Sequence, residues 1–211
     1  MENEYLNRSK INLDLIVNEL YDFSKIGAIS IPDILFEEAR KKLLRGSIFS
    51  KRFFKKVPRI ENEVIQEMEM LSLDDIIGEI WFKNYLYEFR KEYLTIYEEI
   101  AEKANFQNKN FSSLYINYYP KNSIGITPHR DYKRDIDLIS IFVLDGNADF
   151  YICNDRQKTN SIKIDSSPGS LILLRAARNE YEQKYRPFHY LEKMEQERFS
   201  LVIRRRLRRW E

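Results

Sequence analysis

Two histidines and one cysteine are all that this chain of 211 residues offers as imidazole and thiol ligands. The single cysteine, Cys153, excludes an internal disulfide framework and a zinc site built from thiolates, and it suits a reducing compartment. No stretch approaches the roughly 20 apolar residues that a membrane-spanning helix needs. The opening residues, MENEYLNRSKINLDLI, lack the charged-then-apolar order of a secretory signal, so a cytoplasmic location without a membrane is expected. An excess of one sign of charge is missing too. Thirty-five Lys and Arg against 33 Asp and Glu leave +2, too little to argue for a polyanionic partner. Basic clusters occur locally, in KRFFKK at 51–56 and RRRLRR at 204–209, and such runs are ordinarily solvated faces. Internal repeats and low-complexity linkers are absent, and nothing points to an obligate protein partner.

What is present suffices for a globular core: 43% of the residues are apolar and 32% charged. The texture of the chain changes near residue 110. Before it, LDLIVNELYDFSK, ILFEEARKKLL, IENEVIQEMEML and LYEFRKEYLTIYEEIAEKA carry apolar residues at three-to-four spacing and predict amphipathic helices, the second punctuated by Pro32 and Gly46. From Leu114 onward, short segments rich in β-branched and aromatic residues predict strands: LYINYY, DLISIFVL, ADFYIC, SIKID, SLILLRA, PFHYL and RFSLVIRRRL. Turn formers separate them at 120–123, 145–147, 154–160 and 166–169. Successive strands without intervening helices favour an antiparallel barrel or jelly roll over a parallel sheet. The expected fold class is α+β, a jelly-roll core over 111–211 with a helical region over 1–110 packed on it, together one integrated domain.

The histidines sit in His129-Arg130-Asp131 and, in a different predicted strand, at His189. With no other His and no cysteine pair, the first-row metal site this chain can most readily build is His129, Asp131 and His189. On a strand, residues i and i+2 share a face, so His129 and Asp131 would point together while Arg130 faces away. Two imidazoles and one carboxylate occupy one face of an octahedron and leave positions open, as in non-haem Fe(II) sites. Alone, an H-x-D arises by chance, and a lone histidine is more often a surface or core residue than a ligand. Other residues add to it. In the last strand, alternation puts Arg198, Ser200, Val202 and Arg204 on one face, where a guanidinium beside a hydroxyl can hold a carboxylate. Asn117 and Tyr119 share a face of an earlier strand, and Pro168-Gly169 makes a tight turn into an apolar strand.

In this order, Asn117-x-Tyr119, His129-x-Asp131, Pro168-Gly169-Ser170-Leu171, His189 and Arg198-x-Ser200-x3-Arg204 resemble the 2-oxoglutarate- and Fe(II)-dependent dioxygenases, with the closest echo in the AlkB-like branch. The resemblance covers roughly residues 114–206. It implies a double-stranded β-helix with Fe(II) on His129, Asp131 and His189, and with 2-oxoglutarate and O2 as cosubstrates. By the same resemblance Arg198 would pair with the distal carboxylate of 2-oxoglutarate, helped by Tyr119 and Ser200, with Asn117 and Arg204 near its chelating end. The implied reaction hydroxylates or oxidatively demethylates a substrate and releases succinate and CO2.

The nucleic-acid repair members of that branch carry an acidic residue shortly after the H-x-D. Here Tyr132-Lys133-Arg134 stands there instead. A small-molecule or amino-acid-like substrate is therefore expected ahead of an alkylated nucleobase, for which the two basic clusters would form a phosphate track. Arg130, Lys133 and Arg175, with Arg134 and Arg178, gather near the expected mouth and suggest an anionic substrate group. A jelly-roll binding module without turnover is the alternative from another class; a broken triad or missing anion-binding arginine would mark it, and neither is seen.

Overall fold

The computed structural model describes residues 4–57, 64–76 and 79–207. In chain order the main elements are α1 (Leu13–Tyr21), β1 (Ala28–Ile31), α2 (Glu37–Phe49), β2 (Lys55–Lys56), β3 (Glu69–Ser72) and α3 (Ile80–Lys103), followed by β4 (Ser113–Tyr119), β5 (Ile126–His129), β6 (Asp135–Asp145), β7 (Asp149–Cys153), β8 (Ile162–Ile164), β9 (Leu171–Arg175), β10 (Phe188–Glu192) and β11 (Arg198–Arg206). A seven-stranded sheet in the order β1-β9-β6-β11-β4-β3-β2 faces a four-stranded sheet in the order β5-β10-β7-β8, and all the pairings are antiparallel. This is the double-stranded β-helix of an α+β jelly roll, with helices packed on one sheet.

The large sheet is buried on both faces, which explains why β6, β9 and β11 read as nearly continuous apolar runs. Leu138, Phe142, Leu171, Leu173, Leu201 and Ile203 face the helices, while Ile139, Val143, Ile172, Leu174 and Val202 face the barrel interior. On the helical side α3 lays Phe82, Leu86, Phe89, Tyr93, Ile96 and Ile100 along one stripe, the spacing of an amphipathic helix. Phe142 receives the edges of Phe89 and Tyr93 at 5.0 and 4.9 Å between ring centres, and the Tyr93 hydroxyl meets Ser140 Oγ at 2.5 Å. Among the described residues no helix is long and apolar enough to cross a membrane.

Three features differ from the sequence expectation. The helix expected over 60–71 is extended where it is described: residues 60–63 lie outside the described residues, Gln66 bridges to Ile126, and 69–72 form β3. Val64-Ile-Gln-Glu-Met-Glu-Met-Leu satisfies period two as well as period three-to-four, and hydrogen bonding decides for the strand. Met68 and Met70 pack towards the barrel interior, while Leu71 joins the helix-side core. Because β3 belongs to the large sheet while 64–67 pairs with the β5 side, this segment ties the two sheets together beside the cavity. Second, Gly46 does not end its helix but lies inside α2, where a Cβ would fall 2.1 Å from the Phe82 ring. Third, the first half of the chain is not only helical, since β1, β2 and β3 all enter the large sheet.

Candidate metal and oxoacid site

Strand β5 ends on His129, and Asp131 follows on the loop leaving it, so the H-x-D does not lie wholly on a strand as its alternation suggests. The triad nonetheless converges. His189 on β10 is the register partner of His129, and ligand atoms of His129, Asp131 and His189 all lie within 4.8 Å of one another. His129 Nδ1 faces the Thr127 carbonyl at 3.0 Å and His189 Nδ1 that of Pro187 at 3.4 Å. A carbonyl only accepts, so each Nδ1 carries the hydrogen and each Nε2 keeps a free lone pair. Burial, reinforced by the facing His189, pushes His129 down to about 3, and burial pushes His189 down to about 4. Both rings are neutral at pH 7, the form that binds a metal. Burial pushes the Asp131 carboxyl up, and nearby His129, Arg186 and Arg206 oppose that push. Its Oδ2 lies 3.4 Å from His189 Nε2, while Oδ1 accepts a hydrogen bond from Arg204 Nη1 at 2.9 Å. This donor set fits a divalent first-row ion with open positions.

The same cavity, about 70 Å³ of free space, continues from the triad to Asn117, Tyr119, Arg198, Ser200 and Arg204. Register explains the gathering: in the antiparallel β4–β11 pair Arg198 lies opposite Tyr119 and Ser200 opposite Asn117. Arg198 is 1% exposed and donates from Nη1 to the carbonyls of Gly146 and Ser166 at 3.1 and 3.2 Å. Among the described residues it has no carboxylate partner, and burial lowers it only to about 10, so it stays cationic. A buried cation without a counter-ion calls for an anion. Asn117 Oδ1 and Arg204 Nε are also buried without a hydrogen-bond partner. A guanidinium without a counter-ion and two orphan polar atoms, one of them on the arginine that binds Asp131, fit a dicarboxylate lying in this cavity beside the triad.

The arginines expected at the mouth are engaged elsewhere. Arg175 does not line the cavity; it is buried and donates to the carbonyls of Tyr185, Leu20, Asp22 and Lys25, tying the end of α1 to β9. Arg178 binds Glu182 and the Ala104 carbonyl. Arg130 donates to the Lys184 carbonyl at 3.0 Å and lies over Phe188, while Lys133 and Arg134 are exposed. Arg204 is likewise more than a cosubstrate contact, since it pairs with both Asp131 and Asp135. Asp135 and Arg186, which donates to the Asp131 carbonyl, are site residues that sequence reasoning misses. The signal for Asp135 is a carboxylate inside the apolar strand DIDLISIFVL, which has to find a cation.

No family model matches the sequence, and neither does any curated protein. Solved structures do. A prolyl hydroxylase from Trichoplax adhaerens, in complex with a peptide fragment of the hypoxia inducible factor oxygen degradation domain, superposes with a TM-score of 0.69 at 13% identity over 91% of this chain and 87% of its own. A Pseudomonas putida prolyl-4-hydroxylase gives 0.63 at 13% identity over 92% and 99%. The non-haem α-ketoglutarate-dependent epimerase SnoN from nogalamycin biosynthesis gives 0.62 at 11% over 90% and 81%. The chain therefore has the double-stranded β-helix fold that these enzymes share.

Proposed function

We propose that the chain is an Fe(II)- and 2-oxoglutarate-dependent oxygenase that hydroxylates or oxidatively demethylates a small or amino-acid-like molecule, with release of succinate and CO2. The observation that carries this reading is the lining of one cavity by both the His129, Asp131, His189 triad and the uncompensated cation of Arg198. His129, Asp131 and His189 would hold the ion. Arg198, with Tyr119 and Ser200, would take the distal carboxylate, leaving Asn117 and Arg204 Nε for the chelating end. Bound iron, with 2-oxoglutarate and O2, supplies oxidising chemistry that no side chain possesses. The residues of the chain do the rest. Ile139, Ile141, Phe150, Leu191 and Val202 exclude water from the cavity wall. The Thr127 and Pro187 carbonyls fix the imidazole tautomers.

The order of Asn117-x-Tyr119, His129-x-Asp131, His189 and Arg198-x-Ser200-x3-Arg204 supports an AlkB-like layout within this class. A nucleic-acid substrate has less support, because the basic clusters meet acidic partners within the fold. Arg204 and Arg206 bind Asp135 and Arg205 binds Asp137, while Lys51, Arg52 and Lys55 meet Glu197, Glu79 and Asp75. Arg208 and Arg209 lie outside the described residues. A groove of about 400 Å³ lined by Lys56, Glu67, Glu69 and Lys121 adjoins the cavity through Gln66 and Met68, and its two signs of charge suit an amino-acid-like molecule. The regions 1–110 and 111–211 act in this reading as one domain, supported by β1 and β3 pairing with β9 and β4. A reducing, cytoplasmic setting suits both an Fe(II) site and a buried Cys153 with no disulfide partner. Purified protein given Fe(II), 2-oxoglutarate and air should form succinate slowly even without substrate and lose this in His189→Ala. Succinate formation that survives in the variant contradicts the reading.

A further inference from the structure

Behind the triad lies a second set of charges. Asp135 is 0% exposed at the start of β6. Its Oδ1 accepts from Arg206 Nε at 2.6 Å, and its Oδ2 accepts from Arg206 Nη2 at 3.2 Å and from Arg204 Nη1. That same Arg204 nitrogen donates to Asp131 Oδ1 at 2.9 Å. A continuous chain Arg206–Asp135–Arg204–Asp131 thus ends on a triad carboxylate. A register shift in the β6–β11 pairing makes it possible: Arg204 lies opposite Ile139 and Arg205 opposite Ile136, which leaves Asp137 and Leu138 as extra residues, Asp137 in the left-handed region at φ 65. Because of this bulge Asp135 and Asp137 do not share a face as i and i+2 residues otherwise would. Asp135 turns to Arg204 and Arg206, and Asp137 turns to Arg205 at 2.7 Å, beside Tyr97 on α3.

We propose that Asp135 is a positioning residue for the metal site. It rests on the oxygenase reading above and deepens it. By holding Arg204 from behind, Asp135 keeps Nη1 on Asp131 Oδ1 and leaves Nε facing the cavity. Asp131 then presents Oδ2, the oxygen on the His189 side, to the ion as a single donor. Without Asp135, Arg204 loses an anionic partner and stands with like-charged Arg206 in a buried site. Its guanidinium then turns its fork on both Asp131 oxygens and competes with the metal.

Asp137 provides the control, since it is similarly buried, is paired with Arg205, the β11 residue between Arg204 and Arg206, and has no hydrogen bond to the triad. Mn(II) binding to the full chain, read from the free-ion electron paramagnetic resonance signal, separates the roles. Asp135→Asn should weaken Mn(II) binding about 10- to 100-fold, as loss of a partner behind a ligand does elsewhere. Asp137→Asn should lose stability while binding Mn(II) as the wild type does. Should Asp135→Asn fail to fold, the double variant Asp135→Asn with Arg206→Gln removes both charges together and should show the same loss of affinity. Unchanged affinity in the Asp135 variants, or an equal loss in Asp137→Asn, overturns the positioning role while leaving the oxygenase reading in place. A wild-type chain that binds no Mn(II) overturns both.

Discussion

Arg198 and the two histidines line one cavity, and each supports its own prediction. Arg198→Ala should raise the 2-oxoglutarate concentration needed for half-saturation by at least a hundredfold with metal content unchanged, because stranding a buried carboxylate costs about 3–5 kcal/mol. Equilibrium binding of 2-oxoglutarate checks this. A comparable rise in Arg204→Ala with none in Arg198→Ala would reassign the distal clamp. His129→Ala and His189→Ala should each bring metal content to background, since two remaining donors hold an ion poorly. The placement of Arg198, Ser200 and Arg204 in that cavity is legible in the sequence because strand alternation puts them on one face, and the histidines stand out because the chain has only two. Arg175 is not legible in the same way. Nothing in SLILLRA tells that its guanidinium reaches three carbonyls around the end of α1, because those contacts join residues about 150 positions apart.

At the level of elements, the strands after Leu114 are readable because both faces of the large sheet are buried and demand apolar or β-branched side chains. Helix α3 is readable because one stripe faces that sheet. The 64–72 segment is not, since its alternating apolar and acidic residues serve either period and pairing with β4 decides between them. Gly46 shows a second limit. A glycine in a helical pattern reads as a stop, yet here it lets α2 approach Phe82 of α3. Two effects compete in Gly46→Ala. Better helix propensity favours alanine by about 1 kcal/mol, and overpacking against a ring opposes it by about 1–3 kcal/mol. With a Cβ only 2.1 Å from Phe82 Cδ2 the second should win, so chemical denaturation should show a net loss of stability. A more stable variant would mean that the α2–α3 contact is looser than described.

For the whole molecule, the large sheet is a shared wall, with helices on one side and the triad cavity on the other. The first half of the chain is thus part of the barrel's support as well as its cover, through β1 and β3. Net charge of +2, with Lys51, Arg52, Lys55, Arg204, Arg205 and Arg206 engaged in internal ion pairs, predicts weak binding of oligonucleotides at physiological salt and no formaldehyde release from methylated ones. A panel of small amino-acid-like metabolites should instead contain at least one that accelerates succinate formation. Demethylation of an oligonucleotide without any metabolite hit would return the substrate to nucleic acid. The most direct test of the account is an anaerobic titration of the Fe(II)-loaded chain with 2-oxoglutarate, followed by visible absorption. One cavity holding both partners predicts a weak charge-transfer band that saturates at one equivalent, is absent in His189→Ala and needs far more 2-oxoglutarate in Arg198→Ala. A wild-type chain that binds Fe(II) but develops no band at any 2-oxoglutarate concentration would contradict it.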